Sequence, residues 1–297
     1  MTDLMSTRTV ARYLGINEKK VYFLAKNGKI PCTRVTGKWS FPKRLIDQWI
    51  EQSAAGVLQR KANNEEHSFL LAAGSDDPSL GILRDLFEQK TSAAFFMGIL
   101  GSSSGVAAVQ SGAADVATSH LFDPASGEYN LSFIPVKAVA VQLFYRDLGL
   151  VVAKKNPKEI RSVGDLRRRG LRMINRQPGS GTRIYLDQEI ARLKIDAKKI
   201  SGYGTAVSTH LEVGLQVLRD EADVGLATKT GALLLGLDFI PLRRERFDLL
   251  MLKDRFFTPN VQALMDIIGS TEFRKRVEAM GGYDVSESGR VLSSRQP

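Results

Sequence analysis

Three loops rich in glycine and hydroxyl residues have the composition of an anion-binding site. They read GS at 74–75, GSSSG at 101–105 and PGSGT at 178–182, and each lies between an apolar run and a predicted helix. Small residues let the backbone approach a ligand closely, and helix N-termini offer free N–H groups and a positive dipole end. Serine and glycine also cap helices for purely structural reasons, which is the favoured explanation for any one loop alone. Their recurrence at three strand-to-helix junctions favours a common anion site.

Hydroxyl groups at these junctions are the candidate ligand donors. They belong to Ser75, Ser102, Ser103, Ser180, Thr182 and, ahead of a further helix, Thr209. Neither serine loop continues into the Gly-Lys-Ser/Thr of a phosphate loop, which disfavours ATP hydrolysis. Asp76 either accepts a hydrogen bond from the proton of an anion such as phosphate or caps the following helix, and the capping role is favoured. An anion of the molybdate or tungstate type needs donors only.

Catalytic and metal-binding patterns are weak in this sequence. Ser180, Asp187 and His210 are triad residue types, but GSGTR lacks the second glycine of a nucleophile elbow. The three histidines are widely separated, and the single Cys32 excludes a disulfide framework or a multi-cysteine zinc site. We therefore expect no catalytic residue, no metal site and no cofactor beyond a bound effector.

The elements that carry the loops predict an α/β domain of two lobes. Strands and helices alternate from residue 69 onward, which is typical of largely parallel sheets. ADVAT at 114–118 has an echo in ADVGLAT at 222–228, which indicates two similar half-units. A crossover at 147–153 and a return at 247–252 place a ligand between the lobes, at strand ends. We expect lobe I over 67–147 and 247–297 and lobe II over 148–246.

The first 66 residues are distinguished by their charge. They hold 12 basic and 6 acidic residues, whereas the other 231 hold 30 and 26. Within 8–44, ten basic residues accompany Glu18 alone. Such a surplus suits a polyanion partner, because neutralised phosphates release condensed counterions. A solvated basic face without a partner fits the charge equally well.

The same segment has the pattern of a helix-turn-helix. Ser6 and Asn17 are good N-caps for two helices with apolar residues at i, i+3 and i+4, and Gly15 ends the first. TGK at 36–38 suits a hairpin tip, and Pro42 opens a third helix. The second helix of such a motif can enter a DNA major groove.

Residues 7–50 (TRTVARYLGINEKKVYFLAKNGKIPCTRVTGKWSFPKRLIDQWI) resemble the excisionase-type, MerR-like winged helix-turn-helix domain over its whole length. The resemblance implies DNA binding. It implies Lys19, Lys20 and Tyr22 on the recognition helix and Arg34 and Lys38 at the wing. We expect the two lysines to contact phosphates, and Tyr22 can equally pack on the domain's own core.

Residues 67–297 resemble the periplasmic-binding-protein-like ligand domain of some prokaryotic regulators and, more distantly, molybdate-, tungstate- and phosphate-binding proteins. RMINRQPGSGTRIYLDQ at 172–188 is the most specific match, followed by segments at 121–130, 145–158 and 236–251. The triple serine at 102–104 and GYGTAV at 202–207 depart from the family pattern and leave the ligand's identity open. The resemblance implies a type II fold with the six hydroxyl residues above as ligands.

Three further residues are weaker ligand candidates under this resemblance. Arg183 either contacts the ligand or braces its loop against an acidic neighbour. His120 lies at a strand end and is included in the candidate site. His210, in the first turn of a helix, is at least as well explained by surface exposure or capping.

The sequence thus predicts an α/β chain with three parts: a winged helix-turn-helix at 1–52, a linker at 53–66 and a two-lobed periplasmic-binding-protein type II domain at 67–297. We expect a transcriptional regulator that binds double-stranded DNA and a small oxyanion, first molybdate or tungstate. The alternatives are a sensor of an organic metabolite and an enzyme on the same scaffold. Paired half-sites predict a homodimer. With no apolar run of about 18 residues and no basic-then-apolar start, we expect a cytoplasmic protein without membrane contact.

Overall fold

The computed structural model describes residues 4–34, 37–50, 69–135 and 137–292. Its contacts divide the chain into two compact units, Met1–Glu66 and His67–Pro297. The predicted linker at 53–66 and Thr36 of the predicted hairpin tip lie outside the described residues.

The first unit contains three helices and a small antiparallel sheet. Its elements are β1 (Leu4–Ser6), α1 (Thr7–Leu14), α2 (Glu18–Lys26), β2 (Ser40–Pro42) and α3 (43–50). The Oγ of Ser6 accepts a hydrogen bond from the N–H of Thr9, and Asn17 Oδ1 accepts one from that of Lys20, so both predicted caps are confirmed. Gly15 ends α1 in the left-handed region, as its position predicts.

The second unit alternates strands with helices as the sequence predicts. Its strands are β3 (Phe69–Gly74), β4 (Ala94–Ile99), β5 (Val116–Ser119), β6 (Phe122–Asp123), β7 (Glu128–Tyr129), β8 (Ala138–Val152), β9 (Met173–Arg176), β10 (Ala206–Val207), β11 (Val224–Thr228), β12 (Asp238–Leu252), β13 (Tyr283–Asp284) and β14 (Val291–Leu292). Its helices are α4 (Leu80–Thr91), α5 (Ser102–Ser111), α6 (Gly181–Arg192), α7 (His210–Leu218), α8 (Lys229–Leu234), α9 (Lys253–Phe256), α10 (Pro259–Gly269) and α11 (Thr271–Ala279).

One mixed sheet runs through both lobes. Its order is β10-β9-β11-β8-β12-β5-β3-β4, and β13 and β14 pair with β8. β3 is parallel to β4 and β5, and β9 is parallel to β10 and β11, whereas β8 and β12 are antiparallel to each other and to their neighbours. The expected largely parallel sheet therefore holds only within each lobe.

The predicted crossover and return are parts of two long strands. Residues 147–152 belong to the 15-residue β8, and residues 247–252 belong to the 15-residue β12. On β8, apolar side chains up to Phe144 pack in the core of lobe I, and those from Leu150 onward pack in the core of lobe II. On β12 the order is reversed: side chains up to Leu242 pack in lobe II, and those from Phe247 onward pack in lobe I. Two adjacent strands thus connect the lobes, and their pairing extends through both lobes with register shifts at Pro241/Arg243 and Phe247/Asp248.

Glycine at the end of β3 allows the loops of lobe I to pack closely. Gly74 has a φ of +131°, and a Cβ there would collide with the backbone oxygen of Thr118. Gly105, in α5, packs against Gly74, and a Cβ on Gly105 would lie 2.5 Å from the Gly74 Cα. These two contacts bring the Gly74-Ser75 turn against the start of α5.

Gly74→Ala should destabilise the second unit by about 3 kcal/mol, because the added methyl group meets fixed backbone rather than a movable side chain. Urea unfolding followed by far-UV circular dichroism measures this change. Both tryptophans, Trp39 and Trp49, are in the first unit, so their fluorescence reports that unit separately and should not shift.

Gly81→Ala is the matched control, because Gly81 lies in α4 with nothing within 4 Å of an added Cβ. That variant should be unchanged or more stable by about 0.5–1 kcal/mol, the usual gain of alanine over glycine in a helix. Equal unfolding midpoints for the two variants would contradict the proposed close packing at Gly74.

Candidate ligand cleft and DNA-binding surface

The three serine loops converge where the two lobes meet. The side chains of Ser75, Ser102 and Ser180 are fully buried. The N–H of Ser103 donates to the Gly179 carbonyl at 3.5 Å, and a Cβ on Gly101 would lie 3.1 Å from that oxygen. Loops of lobe I thus contact a loop of lobe II, which is the geometry of a closed cleft.

His120, at the end of β5, connects two of these loops. Its Nε2 lies 2.9 Å from the Ser75 Oγ, and its backbone N–H donates to the Ser102 Oγ at 3.3 Å. The ring lies against Gly181 of lobe II, where a Cβ would be 2.6 Å from Cε1. His120 therefore faces the cleft, but both of its ring nitrogens have protein partners, since Nδ1 lies 3.0 Å from Glu245 Oε2. Its role is to position Ser75 and Ser102.

A buried ion-pair network lies behind His120, on the two strands that connect the lobes. Arg146 of β8 lies 2.6 Å from Asp77 Oδ2 and 2.7 Å from Glu245 Oε1 of β12, and its guanidinium stacks on the Phe247 ring at 4.3 Å. The Tyr283 hydroxyl donates to Asp77 at 2.7 Å. Removing Arg146 would leave the buried carboxylates of Asp77 and Glu245 without their shared positive partner.

The network sets the ionisation of its members. Burial opposes the charge on Glu245, but the neighbouring His120 and Arg146 outweigh it and lower the pKa of Glu245 to about 2. Burial also opposes the charge on Arg146, whose pKa is nevertheless raised by Glu245 and Asp77. Burial lowers the pKa of His120 against the attraction of Glu245. The arginine and the glutamate are therefore both charged near neutral pH.

Asp76 lies between the lobes, so the favoured assignment of Asp76 as a helix cap was wrong. The N-cap of the following helix is Ser79, whose N–H donates to Asp77 Oδ1 at 2.8 Å. Asp76 Oδ2 accepts from the N–H of His210 at 2.9 Å, which joins lobe I to the first turn of α7 in lobe II. Burial raises the pKa of Asp76, against the His210 hydrogen bond and the charge of Arg176.

Lobe II contains buried polar groups without hydrogen-bond partners. Within the part of the chain that the structure describes, Arg176 Nη1, Thr182 Oγ1 and both ring nitrogens of His210 are buried and form no hydrogen bond. Burial, opposed by the charge of Asp76, lowers the pKa of Arg176 to about 10, so the guanidinium keeps its charge at neutral pH. Burial lowers the pKa of His210 well below its ordinary value, so its ring is neutral. Such groups are costly unless something binds them.

Three predicted ligand residues are engaged elsewhere. Arg183 pairs with Asp187 at 2.9 Å and stacks on Tyr203 at 4.0 Å, which is the bracing role rather than a ligand contact. Thr209 is the N-cap of α7 and shares a capping box with Glu212. The side chain of Ser103 is exposed, in contrast to its buried neighbour Ser102. All three were expected to face the ligand because they lie in the right loops, but Arg183 and Thr209 have local partners and the Ser103 side chain points into solvent.

Sequence reasoning missed Arg176 and gave too little weight to Asp76 and His210. All three lie at the same kind of junction as the serines: Arg176 ends β9, Asp76 follows the Gly74-Ser75 turn and His210 starts α7. A search for charged as well as hydroxyl side chains at strand ends would have found the first two.

The predicted DNA contacts lie together on the surface of the first unit. Lys19, Lys20 and Tyr22 project from α2 into solvent, and Arg34 and Lys38 are exposed on the segment that leads to β2. Tyr22 is 49% exposed while Val21 is fully buried, so Tyr22 does not pack on the core.

An open groove connects Tyr22, Arg34 and Lys38 to α1, whereas Lys19 and Lys20 do not line it. It has a volume of about 470 Å³ and is lined by Ser6, Thr7, Arg8, Glu18, Tyr22, Arg34, Gly37, Lys38 and Trp39. Arg34 lies over the Trp39 ring at 5.4 Å. Basic side chains around a groove beside a recognition helix suit contact with a phosphate backbone.

Comparisons with known proteins identify the two folds. Residues 84–269 match the PBP superfamily domain, and residues 4–54 match a helix-turn-helix domain. The chain belongs to the PBP superfamily and carries a helix-turn-helix domain at its beginning. In the described part of the chain, no helix has the length and apolar character needed to cross a membrane.

Two curated relatives align with this chain over nearly their own full lengths. The uncharacterised protein YvgK of Bacillus subtilis is 28% identical over 307 residues, which covers 98% of each chain. An uncharacterised protein encoded in the 5′ region of a 2Fe–2S ferredoxin gene of Clostridium pasteurianum is 40% identical over 111 residues, or 37% of this chain and 98% of the relative.

Solved structures of binding proteins have the same fold as the second unit. A Clostridium perfringens protein named for phosphate ABC transport, with bound phosphate, aligns with a TM-score of 0.54 and 15% identity over 71% of this chain and 97% of that one. A tungstate ABC transporter protein of Geobacter sulfurreducens aligns with a TM-score of 0.50 and 14% identity, over 71% and 98%. At these identities the likeness shows the fold alone.

Glu245→Gln should lower the stability of the second unit at pH 7 by about 3 kcal/mol, because Arg146 loses a buried charged partner. The native glutamate stabilises the fold fully above about pH 4.3, its unfolded pKa, and loses this contribution as the pH falls toward 2. The variant should therefore lose less stability than the native protein between pH 7 and pH 3, measured by urea unfolding with circular dichroism.

Glu278→Gln serves as the control, since Glu278 is exposed on α11. Its stability and its acid sensitivity should equal those of the native protein. An acid sensitivity of Glu245→Gln equal to the native one would refute the lowered pKa of Glu245.

Proposed function

We propose that the protein is a one-component transcriptional regulator in which the first unit binds double-stranded DNA and the cleft of the second unit binds a small oxyanion. The observation that carries the proposal is the set of buried, unpartnered donors between the lobes, in a chain that also contains a helix-turn-helix domain. In this proposal the cleft residues bind a ligand, and the role of the protein is regulation rather than catalysis.

The donors suit an oxyanion in kind and position. Ser102 begins α5, and Ser180 and Thr182 lie at the start of α6, so two helix N-termini point their N–H groups toward the contact between the lobes. Arg176 Nη1 and the His210 ring add donor capacity from lobe II. Several short, fixed donors replace the hydration shell of a small anion without much ordering cost.

Asp76 bears on which oxyanion is bound. Molybdate and tungstate, our first candidates, are satisfied by donors and meet the charge of Asp76 without a hydrogen bond. Hydrogen phosphate keeps a proton near neutral pH, and its P–OH group can donate a hydrogen bond to the Asp76 carboxylate. The buried position of Asp76 between the lobes therefore favours phosphate as a second candidate. The phosphate and tungstate proteins of the same fold support testing both classes.

Lobe closure provides a physical route from ligand to DNA. A ligand that contacts Ser75 and Ser102 of lobe I together with Thr182 and Arg176 of lobe II binds the closed form better than the open one. That difference in affinity shifts the population toward closure. We propose a cytoplasmic homodimer, in which closure changes the spacing or orientation of two DNA-binding units on paired half-sites.

Titration of the full chain with molybdate, tungstate, sulfate and phosphate tests the ligand class. A bound anion at 100 times its dissociation constant should stabilise the protein by roughly 2.7 kcal/mol, measured by thermal shift and calorimetry. A response to none of the four would contradict the oxyanion assignment and favour an organic metabolite.

Thr182→Val should weaken the responding anion about tenfold or more, because it replaces an unpartnered hydroxyl with a methyl group of similar size and leaves the fold intact. Thr271→Val, on the exposed start of α11, is the control and should bind normally.

Asp76→Asn separates the two ligand classes: it should weaken the binding of phosphate and leave unchanged, or strengthen, the binding of molybdate and tungstate.

Lys19→Gln combined with Lys20→Gln should weaken DNA binding, since each lysine is expected to neutralise one phosphate. Fluorescence anisotropy with a mixed-sequence duplex, repeated at several salt concentrations, gives the slope of log K against log salt. The slope should fall by about 2 in magnitude. Lys275→Gln, on exposed α11 of the other unit, should leave it unchanged. An unchanged slope in the double variant would remove α2 from the DNA interface.

A further inference from the structure

The second unit owes its net positive charge to one short segment. Residues 153–172 contain eight basic and two acidic residues, whereas the remainder of 67–297 contains 22 basic and 24 acidic residues. We name residues 153–172, between β8 and β9, the basic segment. All eight of its basic side chains are exposed.

Four apolar side chains anchor the basic segment to lobe II. Ile160, Val163, Leu166 and Leu171 are nearly fully buried in the same core as α6. The charged side chains between them consequently point outward from a packed platform.

Hydrogen bonds also hold the backbone of the segment in place. The Asn156 side chain accepts from the N–H of Ile160 at 3.0 Å and donates to its carbonyl at 2.7 Å. Ser162 and Asp165 form a capping box, and Arg168 donates to the Lys158 carbonyl at 2.8 Å. The cations are thus presented from an ordered backbone, so contact with a partner costs little backbone entropy.

Among the described residues, five of the eight cations in the basic segment have no acidic partner. Lys154, Lys158 and Arg172 lie near Asp238, Asp223 and Asp220, and the guanidinium of Arg168 binds a backbone carbonyl. Among the described residues, no ion pair forms at Lys155, Arg161, Arg167 or Arg169. These four charges are available to an external anion.

We propose that the basic segment is a second DNA-binding surface, which contacts the phosphate backbone through Arg161, Arg167 and Arg169. The inference rests on the DNA-binding role proposed above. Duplex DNA is the favoured polyanion because the chain carries a helix-turn-helix domain with its own basic surface. Exposed, uncompensated arginines on a fixed loop contact phosphates without reading bases, so this surface adds affinity and not sequence specificity.

The test compares the full native chain with the triple variant Arg161→Gln, Arg167→Gln and Arg169→Gln on a mixed-sequence duplex of about 30 base pairs. The variant's slope of log K against log salt should be smaller by about 2–3, one contact per arginine, with at least a tenfold loss of affinity near 0.1 M salt. Its unfolding midpoint and its response to oxyanions should match those of the native protein, because the three side chains are exposed.

A second triple variant, Arg219→Gln, Lys253→Gln and Lys275→Gln, removes the same charge from other exposed positions of the second unit. Its slope should stay close to the native one. Equal losses in both variants would show an effect of net charge alone and overturn the proposal, as would an unchanged slope in the first variant.

Vesicles with about 30% phosphatidylserine provide the comparison with a membrane surface. Binding of the native chain to vesicles that is lost in the first variant, with DNA binding intact, would assign the segment to lipid and overturn the proposal. Failure of the native chain to bind any duplex would refute the proposed function itself, which is a separate outcome from loss of the second surface.

Discussion

The ion-pair network around Arg146 is the interaction on which the rest of the cleft depends. Arg146 and Glu245 lie on β8 and β12, the two strands that connect the lobes, and they are buried together with Asp77. Charges in a dry interior are tolerated only when each has close partners. Their mutual positions therefore fix the connection between the lobes. They also fix His120, and through it the hydroxyl of Ser75, at the base of the cleft.

The closed cleft combines satisfied and unsatisfied polar groups, and this contrast gives it a function. Arg146, Asp77 and Glu245 are joined by ion pairs, and Asp76 accepts a hydrogen bond from the first N–H of α7. On the lobe II side, Arg176, Thr182 and His210 retain unused hydrogen-bonding capacity. A ligand that forms hydrogen bonds with these groups stabilises the closed arrangement, because those bonds compensate for the desolvation of the groups. Ligand binding and lobe closure are thus thermodynamically coupled, so that each favours the other.

Outside the cleft, the excess positive charge is concentrated in two places. The surplus of the first unit lies on the helix-turn-helix surface, and that of the second unit lies in residues 153–172 of lobe II. In both places buried apolar residues hold the backbone while the basic side chains remain exposed. In the proposed regulator, the basic segment belongs to one of the two lobes that bind the effector, so electrostatics provide a link between effector and DNA in addition to the helix-turn-helix domain.

Local chemistry in the sequence determined the caps at Ser6 and Asn17, the helix-turn-helix and the strand-loop-helix junctions. These features depend on neighbours a few residues away, which periodicity and capping preferences report directly. Only the tertiary structure decided which polar groups find partners: Asp76 meets His210, 134 positions along the chain, and Arg146 meets Glu245, 99 positions away. Strand order and register set such pairs, and no local pattern encodes them. For the same reason Arg183 and Thr209 lie in the expected loops and yet serve their own helices, while Arg176 faces the cleft.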